Sequence, residues 1–399
     1  MKILHFSDFH FGNSIKQDSI YSTIEEDFIY KTLKYIKTEI EKIDLVIFTG
    51  DLVFKGKTSD LNNPTILDFI DQFKKIPILI CNGNHELIRE NIEKKIQFKD
   101  FSDFIKKHRK KYRIKLSKKF NENQASFIEF PIHNMVFFSL NSCQNIISNK
   151  EKDYKNLATL PYKSTDEFFI EVRKRIKYFD YRNKFVILHH PLEKLKDHLN
   201  AIKILKENDI KIVFAGDSHR FSKTEQNGII GFTAGTLFGS NSIKWDQLNL
   251  IMEPNQFNYY DLNLDKNTIL VSQFIYNDEQ LDWCLKHKLS TEIELIKGWN
   301  LENWCKYFGI IQIYDKLEEK SINFIFKNIS LETDYIGFTK KLEEIKIFYF
   351  ENEDQKKVRL IKTLIRKQKL NKEVTTNILI IDKTRKLKGQ ISTQNIIEV

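Results

Sequence analysis

Five short apolar runs, each ended by the same kind of polar tail, constrain this chain more than any other feature. Residues 3–6 run into Ser7-Asp8-Phe9-His10, and residues 45–48 into Thr49-Gly50-Asp51. Residues 78–81 run into Asn82-Gly83-Asn84-His85-Glu86, 185–188 into His189-His190-Pro191, and 212–215 into Gly216-Asp217-Ser218-His219. Runs this short, rich in Ile, Val, Leu and Phe and stopped by Gly, Asn, Asp or Pro, read as buried strands. Between the first two, residues 24–43 carry Phe28, Ile29, Leu33, Ile36 and Ile40 at helical spacing. A second helix is expected over 64–75, with Asn63 as its cap and Pro64 in its first turn. Strand alternating with helix implies an α/β fold with a parallel sheet at its start. In such sheets functional groups gather beyond the carboxyl ends of the strands, where all five tails sit.

From about 228 to 276 the texture changes to short apolar segments separated by Asn, Asp and Gly, read as strands closing the same domain. Beyond 276 the sequence has a single histidine, His287, and no further motif of the kind seen in the tails. Residues 277–399, with helical patches expected at 278–287 and 355–372, read as a separate C-terminal α+β module.

The tails carry chemistry of one kind. Asp8 and His10 stand two apart, which in extended chain sends both side chains to one side. Gly50 allows a tight turn that exposes the Asp51 carboxylate, whose two oxygens can bridge two ions. Asn84 offers an amide oxygen, and Asp217 and His219 repeat the first spacing. Three Asp, three His and one Asn form a donor set suited to Mn²⁺, Fe or Zn²⁺, and a paired site suits in-line displacement at phosphorus. Taken singly, each residue is equally well explained as turn chemistry; the ordered set is not.

The blocks FSDFHFG, FTGDLV, CNGNHE, LHHP and AGDSHR together resemble the calcineurin-like metallophosphoesterase superfamily. That resemblance implies an αββα sandwich over residues 1–276 and a site with two divalent metal ions. By the same resemblance Asp8, His10, Asp51 and His219 would hold one ion, and Asp51, Asn84, His189 and Asp217 the other. His85 matches the family's catalytic histidine, and would protonate or stabilise the leaving oxygen. His189 rather than His190 matches the ligand, because it stands two residues before Pro191. One departure is visible: most members carry Gly-His-x-His where this chain has Gly216-Asp217-Ser218-His219. The carboxylate is a harder ligand, and tilts the expected metal towards Mn²⁺ or Mg²⁺ over Fe or Zn²⁺.

Composition bears on the substrate. The formal net charge of +10 suits a polyanion such as nucleic acid or a nucleotide. Residues 106–119 concentrate nine Lys and Arg around Tyr112; they are read as a solvated helix face ahead of a phosphodiester-steering surface. The same preference applies to Arg359, Lys362, Arg366 and Lys369. The four cysteines lie far apart, which argues against a thiolate zinc site and fits a reducing, cytoplasmic setting. No apolar run approaches the about 20 residues a membrane span needs.

The expectation is a metal-dependent phosphodiesterase acting on nucleic acid or nucleotides. Two versions differ in substrate. LHFSDFHFG and the C-terminal module favour a DNA nuclease subunit similar to the Mre11/SbcD group. TGDLVFKG and Leu140-Asn141-Ser142-Cys143 look more like bacterial cyclic-nucleotide phosphodiesterases. Asp217 motivates the rival from another class, a catalytically weakened scaffold acting through partners. The C-terminal module would serve as a substrate cap, an oligomerisation element, or a dock for nucleic acid or a protein partner, and the sequence does not choose among these. Of the remaining histidines, His5 is expected in the core and His190 beside the site rather than in it. Glu86 is expected to brace its loop.

Overall fold

The computed structural model describes residues 1–295 apart from 12–18, 41, 55, 89–96, 131–132, 147–157, 177–182, 239–243, 247–248, 252–253 and 278, together with 379–381 and 387–390. The five runs are strands, and they fall in two sheets. The first sheet contains β1 (Lys2–Phe6), β2 (Leu45–Thr49) and β3 (Ile78–Cys81), mutually parallel. The second contains β4 (Lys115–Leu116), β5 (Ser126–Phe130), β6 (Met135–Ser139), β7 (Asn183–Ile187), β8 (Ile210–Ala215), β9 (Ser222–Gln226) and β10 (Ile229–Thr233), in the order β4-β5-β6-β7-β8-β10-β9. Its centre, β6 to β8 and β10, is parallel. After a small ribbon of β11 (Lys244–Asp246) and β12 (Asn249–Ile251), the chain returns to the first sheet. There β13 (Gln256–Asn263), β14 (Thr268–Asn277) and β15 (Asp282–Glu292) add antiparallel strands, giving the order β15-β14-β13-β1-β2-β3.

Strand alternation on β1 shows why two sheets form. Phe6 points out to Phe48, Phe69, Phe73 and Phe257, with ring centroids 5.3–6.0 Å apart. This cluster lies under the helix Pro64–Asp71, whose Asn63 cap accepts the Thr65 N–H at 2.9 Å, as its sequence signals required. His5 points the other way, into the space between the sheets, against Phe214 and Tyr260. Tyr260 in turn meets Phe214 and Phe232 of the second sheet, so the two sheets share one aromatic core. The helix Ser19–Glu39 covers the first sheet beside β15, and the helix His198–Glu207 covers the second against β8. The arrangement is helix, sheet, sheet, helix, the expected αββα sandwich.

One expected element is different. Residues 278–287 were expected to be helical, but the chain there enters β15. Leu281 and Leu285 are exposed, whereas Trp283 is buried against Phe28 and donates its indole N–H to Thr32 Oγ1 at 3.0 Å. Cross-strand pairing with β14, interrupted by a bulge at Gln273/Phe274, overrides the local pattern. One compact unit comprises residues 1–129, 135–175 and 183–295. The second unit holds residues 130–134, 176–182 and 296–399, and within it β16 (Leu379–Ile381) pairs antiparallel with β17 (Leu387–Gln390). The helix expected at 355–372, with Arg359, Lys362, Arg366 and Lys369, lies outside the described residues.

Candidate metal centre

All five tails emerge at the carboxyl ends of β1, β2, β3, β7 and β8, and their backbones interlock there. Phe9 and His10 both donate N–H to Asp51 O, at 2.8 and 2.9 Å. Gly216 N–H reaches His189 O at 2.8 Å, and Leu237 N–H reaches Ser7 O at 2.9 Å. Asp8, His10, Asp51, Asp217 and His219 all adopt positive φ, between 46° and 60°. A side chain in that conformation costs roughly 1–2 kcal/mol, so five at one place mark a site where the fold holds strain in order to aim side chains. The spacing of Asp8 and His10 therefore works for a reason other than strand alternation: both lie past the end of β1, in left-handed turns.

The seven candidate ligands and His85 converge. His219 Nε2 lies 3.2 Å from Asp8 Oδ1 and 3.4 Å from His10 Nε2. His10 Nε2 lies 3.9 Å from Asp8 Oδ1 and 4.0 Å from Asp51 Oδ2. On the other side, His189 Nε2 is 2.8 Å from Asn84 Oδ1, 3.4 Å from Asp51 Oδ2 and 3.8 Å from Asp217 Oδ1. Among the described residues four donor groups have metal-binding spacing: Asp8–His10–His219, His189–His190–Asp217, Asp8–Asp51–His189 and His10–Asp51–His85. His190 thus stands in the second group; its Nδ1 meets Ser142 Oγ at 2.9 Å and its Nε2 lies 3.9 Å from Asp217 Oδ1.

The surroundings fix which atom of each group faces inward. His189 donates Nδ1–H to Thr49 O at 2.8 Å, leaving Nε2 for the cluster. Asp8 Oδ2 accepts from Ser7 Oγ at 2.5 Å and from Asp217 N–H at 3.0 Å. Asp8 Oδ1 is buried and faces the imidazoles of His219 and His10 at 3.2 and 3.9 Å, without a hydrogen bond of good geometry. A buried carboxylate oxygen turned towards two imidazoles is an unmet demand for positive charge, and a cation meets it. Glu86 braces its loop as expected: its carboxylate accepts the N–H groups of Asp51 (2.9 Å), Gly83 (2.6 Å) and Val53 (3.1 Å). Gly83 is required because a Cβ there would lie 2.1 Å from Asp51 Oδ1.

Electrostatics tell the same story. Burial alone would raise the Asp51 carboxyl, but the imidazoles of His189 and His85 hold it well below the usual range. Burial opposes a proton on His189, yet Asp51 beside it raises the imidazole to about 10. The attraction that holds a proton there is the attraction a metal cation would exploit. Burial pushes His10 down to about 4, so that it is neutral and ready to ligate near pH 7. Burial and the Asp51 charge lift Glu86 to about 7, against its backbone hydrogen bonds.

His85 lies, with His219 and Asp217, at the more open side of the cluster. Its Nδ1–H donates to Phe54 O at 2.9 Å, and its ring stands edge-on to His10 with centroids 4.6 Å apart. Its Nε2 points to Asp51 Oδ2 at 3.9 Å, and its side chain is 19% exposed where those of Asp8, His10, Asp51 and His189 are buried. Two neighbours carried no sequence signal: Ser7, which grips Asp8, and Lys194, whose Nζ donates to Asp217 Oδ2 at 2.7 Å. Four of the nine basic residues in 106–119 pair with surface carboxylates. Lys106 meets Asp103, Lys111 meets Asp71, Lys115 meets Glu129 and Lys119 meets Glu167. Among the described residues no helix is long and apolar enough to cross a membrane.

Solved structures similar to this chain include purple acid phosphatase PPD1 from yellow lupin, at 12% identity and TM-score 0.48, covering 74% of this chain and 54% of that one. GAP50 of Plasmodium, described as the anchor in the inner membrane complex, aligns at 12% identity and TM-score 0.44, covering 74% and 89%. Vps29 from Chaetomium thermophilum aligns at 10% identity and TM-score 0.34, covering 74% and 100%. Likeness at these values decides nothing about activity. No curated protein matches the sequence. The family described as calcineurin-like phosphoesterase, however, matches residues 1–221, more than half of the 399-residue chain and all five tails. This chain belongs to the calcineurin-like phosphoesterase family.

Proposed function

We propose that this protein is a metal-dependent phosphodiesterase acting on nucleic acid or nucleotides at a two-ion site. The observation that carries the reading is the position of Asp51, whose Oδ2 faces His189 at 3.4 Å and His10 at 4.0 Å. A carboxylate placed between the two groups supports the reading that Asp51 would be shared by both ions. Asp8, His10, Asp51 and His219 would hold one ion; Asp51, Asn84, His189 and Asp217 would hold the other. When bound, such ions draw charge from the phosphoryl oxygens and acidify the attacking water. Carboxylate and amide oxygens mixed with imidazoles suit Mn²⁺, with Fe, Zn²⁺ and Mg²⁺ as rivals.

The chain's own contribution is aim and proton transfer. The interlocked turns hold the donors before substrate arrives, which spares reorganisation during the reaction. His85, fixed through its Nδ1–H to Phe54 O, turns Nε2 towards the site and, as the doubly protonated imidazolium, would give the Nε2 proton to the leaving oxygen, ending as the neutral ring. The net charge of +10 supports a polyanionic substrate.

The test is hydrolysis of bis-p-nitrophenyl phosphate and of labelled single- and double-stranded DNA, with and without Mn²⁺, beside Asp51→Ala. Mn²⁺-dependent turnover lost in the variant supports the site. Cleavage in the DNA lanes supports the nuclease version, and its absence favours a nucleotide substrate. The scaffold reading keeps one observation in its favour, the engagement of Asp217 by Lys194. Folded protein that binds fewer than two ions and turns over no ester would establish it.

A further inference from the structure

The segment that supplies His189 continues past Pro191 into a single turn, Leu192–Lys194. That turn is pinned on several sides. Lys194 N–H donates to Pro191 O at 3.0 Å, Leu195 N–H to Leu192 O at 3.1 Å, and Lys196 N–H to Ala158 O at 2.9 Å. Lys194 is thereby delivered at a set distance from His189. Its ammonium donates to Asp217 Oδ2 at 2.7 Å and to Asp217 O at 3.3 Å. The other carboxylate oxygen, Oδ1, faces His189 and His190 at 3.8 and 3.9 Å. The two oxygens of Asp217 thus have separate partners, the cluster on one side and the lysine on the other.

An ammonium has three N–H donors, and two are spent on Asp217. The Lys194 side chain is 42% exposed, while Asp217 is 16% exposed and His189 is fully buried. The cation therefore sits at the rim of the cluster, with its remaining donor on the solvent side. With an ion on Oδ1, the charge of Asp217 would be shared with that ion, and the lysine would keep a net pull on anions.

We propose that Lys194 is a substrate-anchoring residue: held at the rim by Asp217, its ammonium binds a non-bridging phosphoryl oxygen of the ester. Lysine serves phosphate as a point charge, and a long flexible side chain normally loses rotamer freedom when it binds. Here Asp217 and the pinned turn have ordered it beforehand, which removes that cost from substrate binding. The ligand chemistry is a phosphoryl oxygen rather than any particular leaving group. The proposal rests on the two-ion reading above.

The experiment uses the full chain loaded with Mn²⁺, wild type beside Lys194→Met and Lys194→Arg. Bound Mn²⁺ is counted per chain, inorganic phosphate is titrated calorimetrically, and KM and kcat are measured with bis-p-nitrophenyl phosphate. The expected result is two Mn²⁺ in every protein, phosphate bound about tenfold more weakly by Lys194→Met, and KM raised more than kcat falls. Arginine in place of lysine recovers most of the affinity. Unchanged phosphate affinity in Lys194→Met overturns the anchor and leaves the two-ion reading standing. Loss of an ion in that variant also overturns it, since the lysine would then support the metal rather than the substrate. Fewer than two Mn²⁺ in wild type overturns both.

Discussion

Asp8-Phe9-His10 and Asp217-Ser218-His219 share a spacing and a backbone. The first pair has φ of 51° and 46°, the second 60° and 55°. Yet they spend their side chains differently. Asp8 and His10 enter one donor group, whereas His219 crosses to join them and Asp217 turns to His189, His190 and Lys194. Backbone geometry exposes each pair; neighbours supplied by other loops decide where each side chain goes. The first pair is gripped by the turn after β2, through Asp51 O. The second is tied locally, Ser218 N–H to Gly216 O at 2.7 Å, and by Gln256, whose amide reaches His219 O at 3.3 Å.

The largest effect is expected where the two pairs touch. A Cβ on Gly216 would lie 1.8 Å from Ser7 Oγ and 2.8 Å from Asp8 Oδ2, so Gly216→Ala displaces both pairs at once. A shift of about 1 Å at such a site costs on the order of a hundredfold in kcat/KM. Steady-state kinetics and metal counts check it, with Gly228→Ala as the contrast. Gly228 has φ of +80° but nothing within 4 Å of a built Cβ. That variant is expected to lose about 1 kcal/mol of stability and no activity. Equal effects from the two would mean that Gly216 matters for its turn alone.

How much of this was legible in the sequence follows from the same comparison. The donors were readable because each stands directly after a buried strand, where polar residues beside Gly have few other reasons to cluster. The braces were not. Lys194 sits in an ordinary polar stretch, and only the turn after Pro191 brings it to Asp217. Ser7 Oγ reaches Asp8 Oδ2 only because Asp8 adopts positive φ, which no spacing encodes. The strand β15 was missed because Leu281 and Leu285 are both exposed and mark no buried strand face. Its hydrogen bonds lie with β14, and its buried Trp283 packs on a helix far away in sequence.

A sharper separation comes from removing one charge in each pair. Asp8→Asn takes a buried carboxylate from between His219 and His10, and is expected to lower kcat/KM by roughly a hundredfold or more. Asp217→Asn keeps an oxygen for the second group at a half-open edge, and is expected to cost about tenfold. Kinetics across a Mn²⁺ titration distinguish them. The reverse order would show that the Asp217 half, not the Asp8 half, dominates.

Chelation probes both halves together. Asp8 and Asp51 are buried carboxylates drawn to one place, and a cation relieves their repulsion. A ligand at about 100 times its Kd stabilises the folded chain by about 2.7 kcal/mol. Removing Mn²⁺ with a chelator should therefore lower Tm by roughly 5–10 °C for a domain of this size. Asp51→Ala, which lacks the bridging carboxylate, should respond far less. An equal response in both proteins would mean that Asp51 does not link the two groups.

The smallest effect, and the finest test of the comparison, lies in the residues that precede the two aspartates. Ser7 donates to Asp8 Oδ2 at 2.5 Å, while Gly216, at the matching place before Asp217, has no side chain to offer. Asp8 also receives Asp217 N–H at 3.0 Å on the same oxygen, so Ser7→Ala removes one of two supports rather than all. A hydrogen bond to a charged group contributes about 1.5–3 kcal/mol, and the surviving support should hold the loss to about tenfold in Mn²⁺ affinity. Isothermal titration of Mn²⁺ into Ser7→Ala would resolve that, with the weakening confined to one of two binding events. If affinity stays at the wild-type value, the backbone alone aims Asp8. The two pairs would then be held by the same means, and the difference between them would lie wholly in what Lys194 and His190 do to Asp217.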